Sequence, residues 1–257
     1  MDAQKFECRV RVDPVPRILA LAAALIALSC GPPREAATKQ ALVVYQPSHQ
    51  RDTGTNYNEA LVCNSIAEAA MAASTGMVKV YKVWSYDQEN LHHARQGSNT
   101  KIEHSSAIDS LGRISGYAYE IRESNKLKPD VFIAIHNNGA TRRNACWGFV
   151  HEGDEYEQQN RELAKGLVVE IYRASGLDDA GVLGDSSPNR NDYRCKNTGK
   201  LSFYSLDENT NNCPIRVLLE IGDNKESYEL LMNPAIQKKI GEAIQRIIEK
   251  RFGGREE

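Results

Sequence analysis

The sequence predicts one α/β domain with a mostly parallel central sheet and helices on both of its faces. Three observations predict it. Short β-branched runs alternate along the chain with longer helical runs. The short apolar runs are near-continuous, without the polar alternation of a strand that has one wet face, so they read as strands covered on both sides. Each helical run carries its apolar residues at three-four spacing, the mark of a single buried face. At 257 residues, 41% of them apolar and 26% charged, the chain is long enough to bury a sizeable core. Its 32 basic and 34 acidic residues leave a net charge of -2, which argues against a broadly basic nucleic-acid footprint. No run of 18 apolar residues occurs, which excludes a polytopic membrane protein.

The elements begin with an address label. Ile18 to Leu28 is an eleven-residue apolar run, too short to span a bilayer comfortably but right for a signal-peptide core, and Lys5, Arg9, Arg11 and Arg17 supply the basic flank before it. Leu28-Ser29-Cys30 follows and resembles the lipobox of bacterial lipoproteins, in which the cysteine is lipidated and becomes the first residue. Gly31-Pro32-Pro33 breaks any helix there. The reading is a signal peptide over 1–29, cleaved before Cys30, then a polar tether over 30–40. Such a chain is exported and anchored to a membrane by lipid rather than spanning it. Cleavage leaves 28 basic and 31 acidic residues, a charge of -3.

Strands are expected at Ala41–Tyr45, Met77–Trp84, Val131–His136, Trp147–His151, Lys200–Tyr204 and Ile215–Glu220. Helices are expected at Tyr57–Ser74, Ser106–Glu123, Asp154–Ala174 and Pro234–Phe252, with Ser175-Gly176 and Gly253-Gly254 as stops. Leu183 to Lys200, with Pro188 and several Asn, reads as a long loop. Besides Cys30, the exported chain keeps Cys63, Cys146, Cys195 and Cys213. Four cysteines allow three pairings. Cys195 and Cys213 bracket a short segment and are the pair expected to form a disulfide. No C-x-x-C spacing occurs, which counts against zinc binding by these cysteines.

The chemistry gathers after the strands. Ala41–Tyr45 runs into Gln46-Pro47-Ser48-His49, and Glu59 opens the helix that follows. Val131–Ile135 ends in His136, and Val217–Leu219 ends in Glu220. Ligands of open α/β sheets bind at the carboxyl ends of the strands. Two imidazoles and a carboxylate make a catalytic zinc shell with one position open for water, and a second carboxylate can move the proton. That inventory fits amide hydrolysis.

The runs VVYQPSHQRDTGTNYNEA, FIAIHNNGA and VLLEIGDN, in that order and strand context, resemble the zinc-dependent N-acetylmuramoyl-L-alanine amidase family. The resemblance covers about Leu42 to Phe252, so 41–252 is expected to be a catalytic domain. It implies zinc as cofactor, with His49, Glu59 and His136 as ligands and Glu220 as catalytic acid and base. It also implies peptidoglycan as the partner, cut between N-acetylmuramic acid and L-alanine. The chain departs from the family pattern at Ser48 and Gln50-Arg51, where glycines are usual. It departs again at Ala134, where serine is frequent, and at Asp223, where an apolar residue is usual. None of these removes a ligand. A zinc peptidase acting on another wall amide, or an envelope lipoprotein that binds wall fragments without cutting them, are the alternatives.

Other motifs read as structure. His92-His93 and His104 sit in a polar stretch without strand context. His151 ends a strand and is read as lying on the same sheet edge as the site. Arg113 and Arg122 read as a solvated helix face, and Tyr81, Trp84 and Tyr86 as packing. No Gly-x-Ser-x-Gly elbow, P-loop or dinucleotide fingerprint occurs.

Overall fold

The segments Leu42–Pro47 (β1), Lys79–Lys82 (β2), Val131–Asn138 (β3), Ala145–Val150 (β4), Asp178–Gly184 (β5) and Ile215–Asp223 (β8) build one six-stranded sheet in the order β2-β1-β3-β8-β4-β5. Tyr193–Arg194 (β6) and Leu201–Ser202 (β7) pair separately as a short antiparallel ribbon. The computed structural model describes residues 39–50, 56–84, 116–139, 141–186, 193–195, 197 and 199–254. The expected signal peptide and Cys30, nearly all of the tether, His92, His93, His104 and Arg113 lie outside the described residues.

Side-chain alternation along the strands sorts the core into two layers. Val43 and Tyr45 of β1, Val131, Ile133 and Ile135 of β3, and Val217, Leu219 and Ile221 of β8 face one way. They pack on the apolar stripes of Glu59–Ala72 (α1), Glu157–Ser175 (α3) and Pro234–Phe252 (α5). Val44, Phe132, Ala134 and Leu218 face the other way and join Trp147, Phe149, Phe203 and Leu206, with Ile121 of Gly116–Leu127 (α2). The sheet is therefore covered on both faces, as expected. Two helix ends match closely: α5 has the expected bounds, with Asn233 capping its first turn, and α3 ends on Gly176 in a left-handed cap. The expected Ser106–Glu123 helix is described from Gly116 and runs on to Leu127, its first ten residues lying outside the described ones.

Two elements differ from expectation. β5 lies where no strand was expected and its last two residues overlap the supposed loop, because an exposed edge strand built from Asp178-Asp179-Ala180-Gly181 lacks the apolar signature of its neighbours. A further single turn, Tyr228–Leu231 (α4), precedes α5. The direction of β4 matters more. β1, β2, β3 and β8 are mutually parallel, but β4 runs antiparallel to β8, pairing Trp147 with Glu220 and Phe149 with Leu218, and β5 follows β4 in parallel. The six residues between Asn138 and Ala145 are too few for a parallel crossover, so the chain can only turn back. His151, at the end of β4, therefore lies at the opposite sheet edge from Glu220, not on the same edge.

The expected disulfide does not form. Cys63, Cys146, Cys195 and Cys213 are all free and buried. Cys213 donates to the Ile215 carbonyl at 3.3 Å and packs in the second apolar layer, whereas Cys195 turns toward His151.

Candidate active site

His136 and Glu220 are register partners on adjacent parallel strands, so their Cα atoms stand about 4.8 Å apart and their side chains leave the same face. That face is the second layer, because both continue the phase of Phe132, Ala134 and Leu218. Gln46 shares this phase on β1. Its amide donates to Glu120 Oε2 of α2 at 2.6 Å, which brings a buried carboxylate over the ends of the strands.

Glu59 reaches the site from α1. Asn58 caps that helix, accepting from Leu61 N at 3.2 Å, and the next residue turns its carboxylate inward, 98% buried. Glu59 Oε1 lies 3.3 Å from His136 Nδ1 and accepts from Asn137 N at the same distance. Asn137 is the tie between elements. It accepts from the Tyr57 hydroxyl at 2.6 Å and donates to the Ile221 carbonyl at 2.6 Å. Cys63 also donates to its Oδ1, at 3.4 Å. Burial, reinforced by the Glu59 charge, holds the Cys63 thiol well above its usual range, so it stays protonated.

His49 sits on the loop past β1. Ser48 N donates to the Ile135 carbonyl and Trp84 Nε1 to the Ser48 carbonyl, so the loop start is fixed on both sides. Trp84 thus holds the loop as well as packing. His49 Nδ1 lies 3.8 Å from Glu120 Oε2. The end of β8 is fixed by Gly222, whose φ of +71° is left-handed and whose Cβ, if present, would stand 2.9 Å from that of Ser227. The turn it permits places Asp223, 99% buried, to accept from Thr141 Oγ1, Arg142 N and Lys225 N. The departure from the family pattern at Asp223 is therefore a loop anchor.

Burial alone would push His136 toward neutrality. The Glu59 hydrogen bond and the charges of Glu59, Glu220 and Glu120 outweigh it and raise the imidazole above its ordinary value. Three buried acids around one imidazole form a site that favours positive charge. Their oxygens, with imidazole nitrogens, are a donor set that suits zinc. Sequence reasoning missed Glu120. The signal was there: a glutamate between Ala118 and Ile121 of a buried helix stripe needs a partner. Among the described residues, however, the one group of three donors drawn within 4.8 Å of one another is His151, Cys195 and Asp207; the donors of His49, Glu59 and His136 are not gathered that tightly.

The sequence profile of the N-acetylmuramoyl-L-alanine amidase family matches residues 92–250. No curated protein matches the chain. Among solved structures it resembles Cwp6 from Clostridium difficile, at 19% identity and a TM-score of 0.58, over 82% of this chain and 29% of that one. It also resembles the amidase AmiC2 of Nostoc punctiforme, at 16% identity and a TM-score of 0.55, over 82% and 96% of the two chains. The CwlD amidase from Clostridioides difficile, solved in complex with the GerS lipoprotein, gives 17% identity and a TM-score of 0.55 over 82% and 98%. The chain thus spans less than a third of Cwp6 but nearly all of the other two, and at these identities the likeness is one of fold.

Proposed function

The chain belongs to the N-acetylmuramoyl-L-alanine amidase family, and on that premise we propose that it hydrolyses the amide joining N-acetylmuramic acid to L-alanine in peptidoglycan. His49, Glu59 and His136 are the residues that would hold zinc, and Glu220 is the general acid and base. The observation that carries the reading is the Glu59–His136 contact at 3.3 Å with Glu220 in register on the next strand.

Bound zinc lowers the pKa of water to about 7 and polarises a carbonyl oxygen. Glu59 holds the His136 ring at Nδ1, and Asn137 ties Glu59 to β8 through the Ile221 carbonyl. Glu120 Oε2 lies 3.8 Å from His49 Nδ1, and its charge favours an inward-turned imidazole there. Glu220, one strand over and outside that set, takes the proton of the attacking water and returns it to the departing alanine nitrogen. The amide products then separate as a glycan lactyl carboxylate and a free stem peptide. The apolar run at Ile18–Leu28 with Cys30 supports export and attachment by lipid to the envelope, where this substrate lies.

Digestion of purified peptidoglycan, followed by mass spectrometry, tests the reading. Release of intact stem peptides with free L-alanine amino ends, abolished by a chelator, is the expected result. Release of cross-link fragments would instead identify a peptidase, and no release from any wall preparation would defeat the catalytic reading.

A further inference from the structure

At the opposite edge of the sheet lies a second polar cluster that amide hydrolysis does not use. His151 follows β4, Asp185 follows β5, Cys195 follows β6, and Asp207 sits in the turn after β7. All four are buried: His151 is 2% exposed, Asp185 1%, and Cys195 and Asp207 0%. Along the antiparallel β4, His151 stands four residues from the partner of Glu220, about 13 Å away.

The geometry points to a zinc site formed by His151 Nε2, Cys195 Sγ and a carboxylate oxygen of Asp207, three protein donors that leave a fourth position for water. One donor atom of each already lies within 4.8 Å of the other two, and Nε2 is 4.0 Å from Sγ. Ligand atoms around tetrahedral zinc stand about 3.3–3.8 Å apart, so no pair of donors needs to close by more than about 1.5 Å. His151 Nδ1 lies 2.9 Å from Asp185 Oδ2. A carboxylate on the far ring nitrogen fixes the proton there and turns the Nε2 lone pair outward, which is how metal-binding histidines are oriented.

The independent sign is Asp207. Its Oδ1 accepts from Asn209 N and Nδ2, both at 2.7 Å. Its Oδ2 is fully buried and has no hydrogen-bond partner. An unsatisfied buried carboxylate oxygen is costly and calls for an explanation such as a bound ion. The mixed nitrogen, sulfur and oxygen set selects zinc over calcium or magnesium. The turns that present the donors are fixed without metal: Cys195 N donates to the Lys200 carbonyl, Gly199 N to the Cys195 carbonyl, and Asn211 N to the Asp207 carbonyl.

Cys195, His151 and Asp185 in an open cleft would read as nucleophile, base and orienting acid. Complete burial of the thiol closes that route and favours ligation. The site would staple Cys195 and Asp207, from the connection between β5 and β8 whose described residues include the two-residue strands β6 and β7, to the end of β4. It replaces the disulfide that Cys195 does not make.

Cobalt(II) separates this site from the active site, because a thiolate ligand adds a near-ultraviolet sulfur-to-cobalt charge-transfer band. The metal-stripped full-length protein, titrated with cobalt(II), should develop that band by two equivalents, one for each site. The band should persist in His136→Ala and vanish in Cys195→Ser, which is close in size. Asp185→Asn should weaken cobalt binding at this site by about 10–100-fold. Zinc should raise the melting temperature of His136→Ala but not of His136→Ala/Cys195→Ser. A band absent from the wild-type protein, or retained in Cys195→Ser, would overturn the proposal whatever the peptidoglycan digest shows, since neither result depends on turnover.

Discussion

Glu220 and Glu120 both bear on His136, from a neighbouring strand and from a helix, yet they are expected to act differently. Glu220 shares its sheet face with His136 and is the acid assigned to proton transfer. Glu220→Gln keeps the shape and removes the base, so turnover of peptidoglycan should fall by about 10²–10⁴-fold, while zinc content and melting temperature stay near wild type. Retained turnover in that variant would count decisively against the mechanism. Glu120 is argued to act through charge. It holds the Gln46 amide at 2.6 Å and faces His49 at 3.8 Å. Glu120→Gln keeps an acceptor for Gln46 but deletes one of three negative charges around the imidazoles. Zinc affinity, read by competition with a chromophoric chelator, should fall by about 10–100-fold, as it does when a supporting carboxylate is lost from a metal site. Unchanged affinity would show that Glu120 only braces Gln46.

Between helices, the tightest fit is where α5 crosses α1. A Cβ on Gly241 would stand 2.5 Å from the Ile66 carbonyl oxygen and 2.7 Å from Ala70 N. Backbone cannot yield as a side-chain tip can, so Gly241→Ala must part the two helices. The expected loss is about 1–3 kcal/mol or more, despite the gain in helix propensity, and appears as a lower midpoint in denaturant. Further along α5, Glu249 accepts from Thr75 N at 2.7 Å, Thr75 Oγ1 at 2.9 Å, Ser74 Oγ at 3.1 Å and Gln245 Nε2 at 3.0 Å. Gln245 in turn accepts from the Tyr45 hydroxyl at 2.6 Å. Burial works to raise the Glu249 carboxyl, but these donors outweigh it and hold it below its ordinary value. A depressed carboxyl stabilises the fold above its unfolded pKa, about 4.3, and that contribution disappears as pH falls through the lower folded value. Glu249→Gln should therefore lower the melting temperature at pH 7 and flatten its decline below about pH 5. Parallel pH profiles for variant and wild type would show that the carboxyl carries no such linkage.

For the molecule as a whole, what could be read from sequence was what repeats. Val43–Tyr45, Val131–Ile135 and Val217–Leu219 announce strands by unbroken apolar runs, and the residues just past them, His49, His136 and Glu220, follow from where such strands end. β5 was hidden because an edge strand can be made of aspartate and glycine. The reversal of β4 was hidden because a strand's composition carries no direction; only the short link to β3 encodes it. That reversal moved His151 across the sheet and made a buried cluster with Cys195 that spacing alone could not foresee. The membrane attachment proposed above is the remaining whole-molecule property, and it would rest on one residue. No helix of the described residues is long and apolar enough to cross a bilayer, and the chain's net charge of -2, or -3 after the expected cleavage, gives no attraction to anionic lipid. On the proposed reading, attachment comes from acyl chains on Cys30, each buried methylene contributing about 0.8 kcal/mol. Cys30→Ala should move the exported protein from the detergent phase to the aqueous phase on phase partitioning, with wall-digesting activity per molecule unchanged in solution. Continued partitioning of the variant into detergent would place the membrane contact elsewhere on the chain.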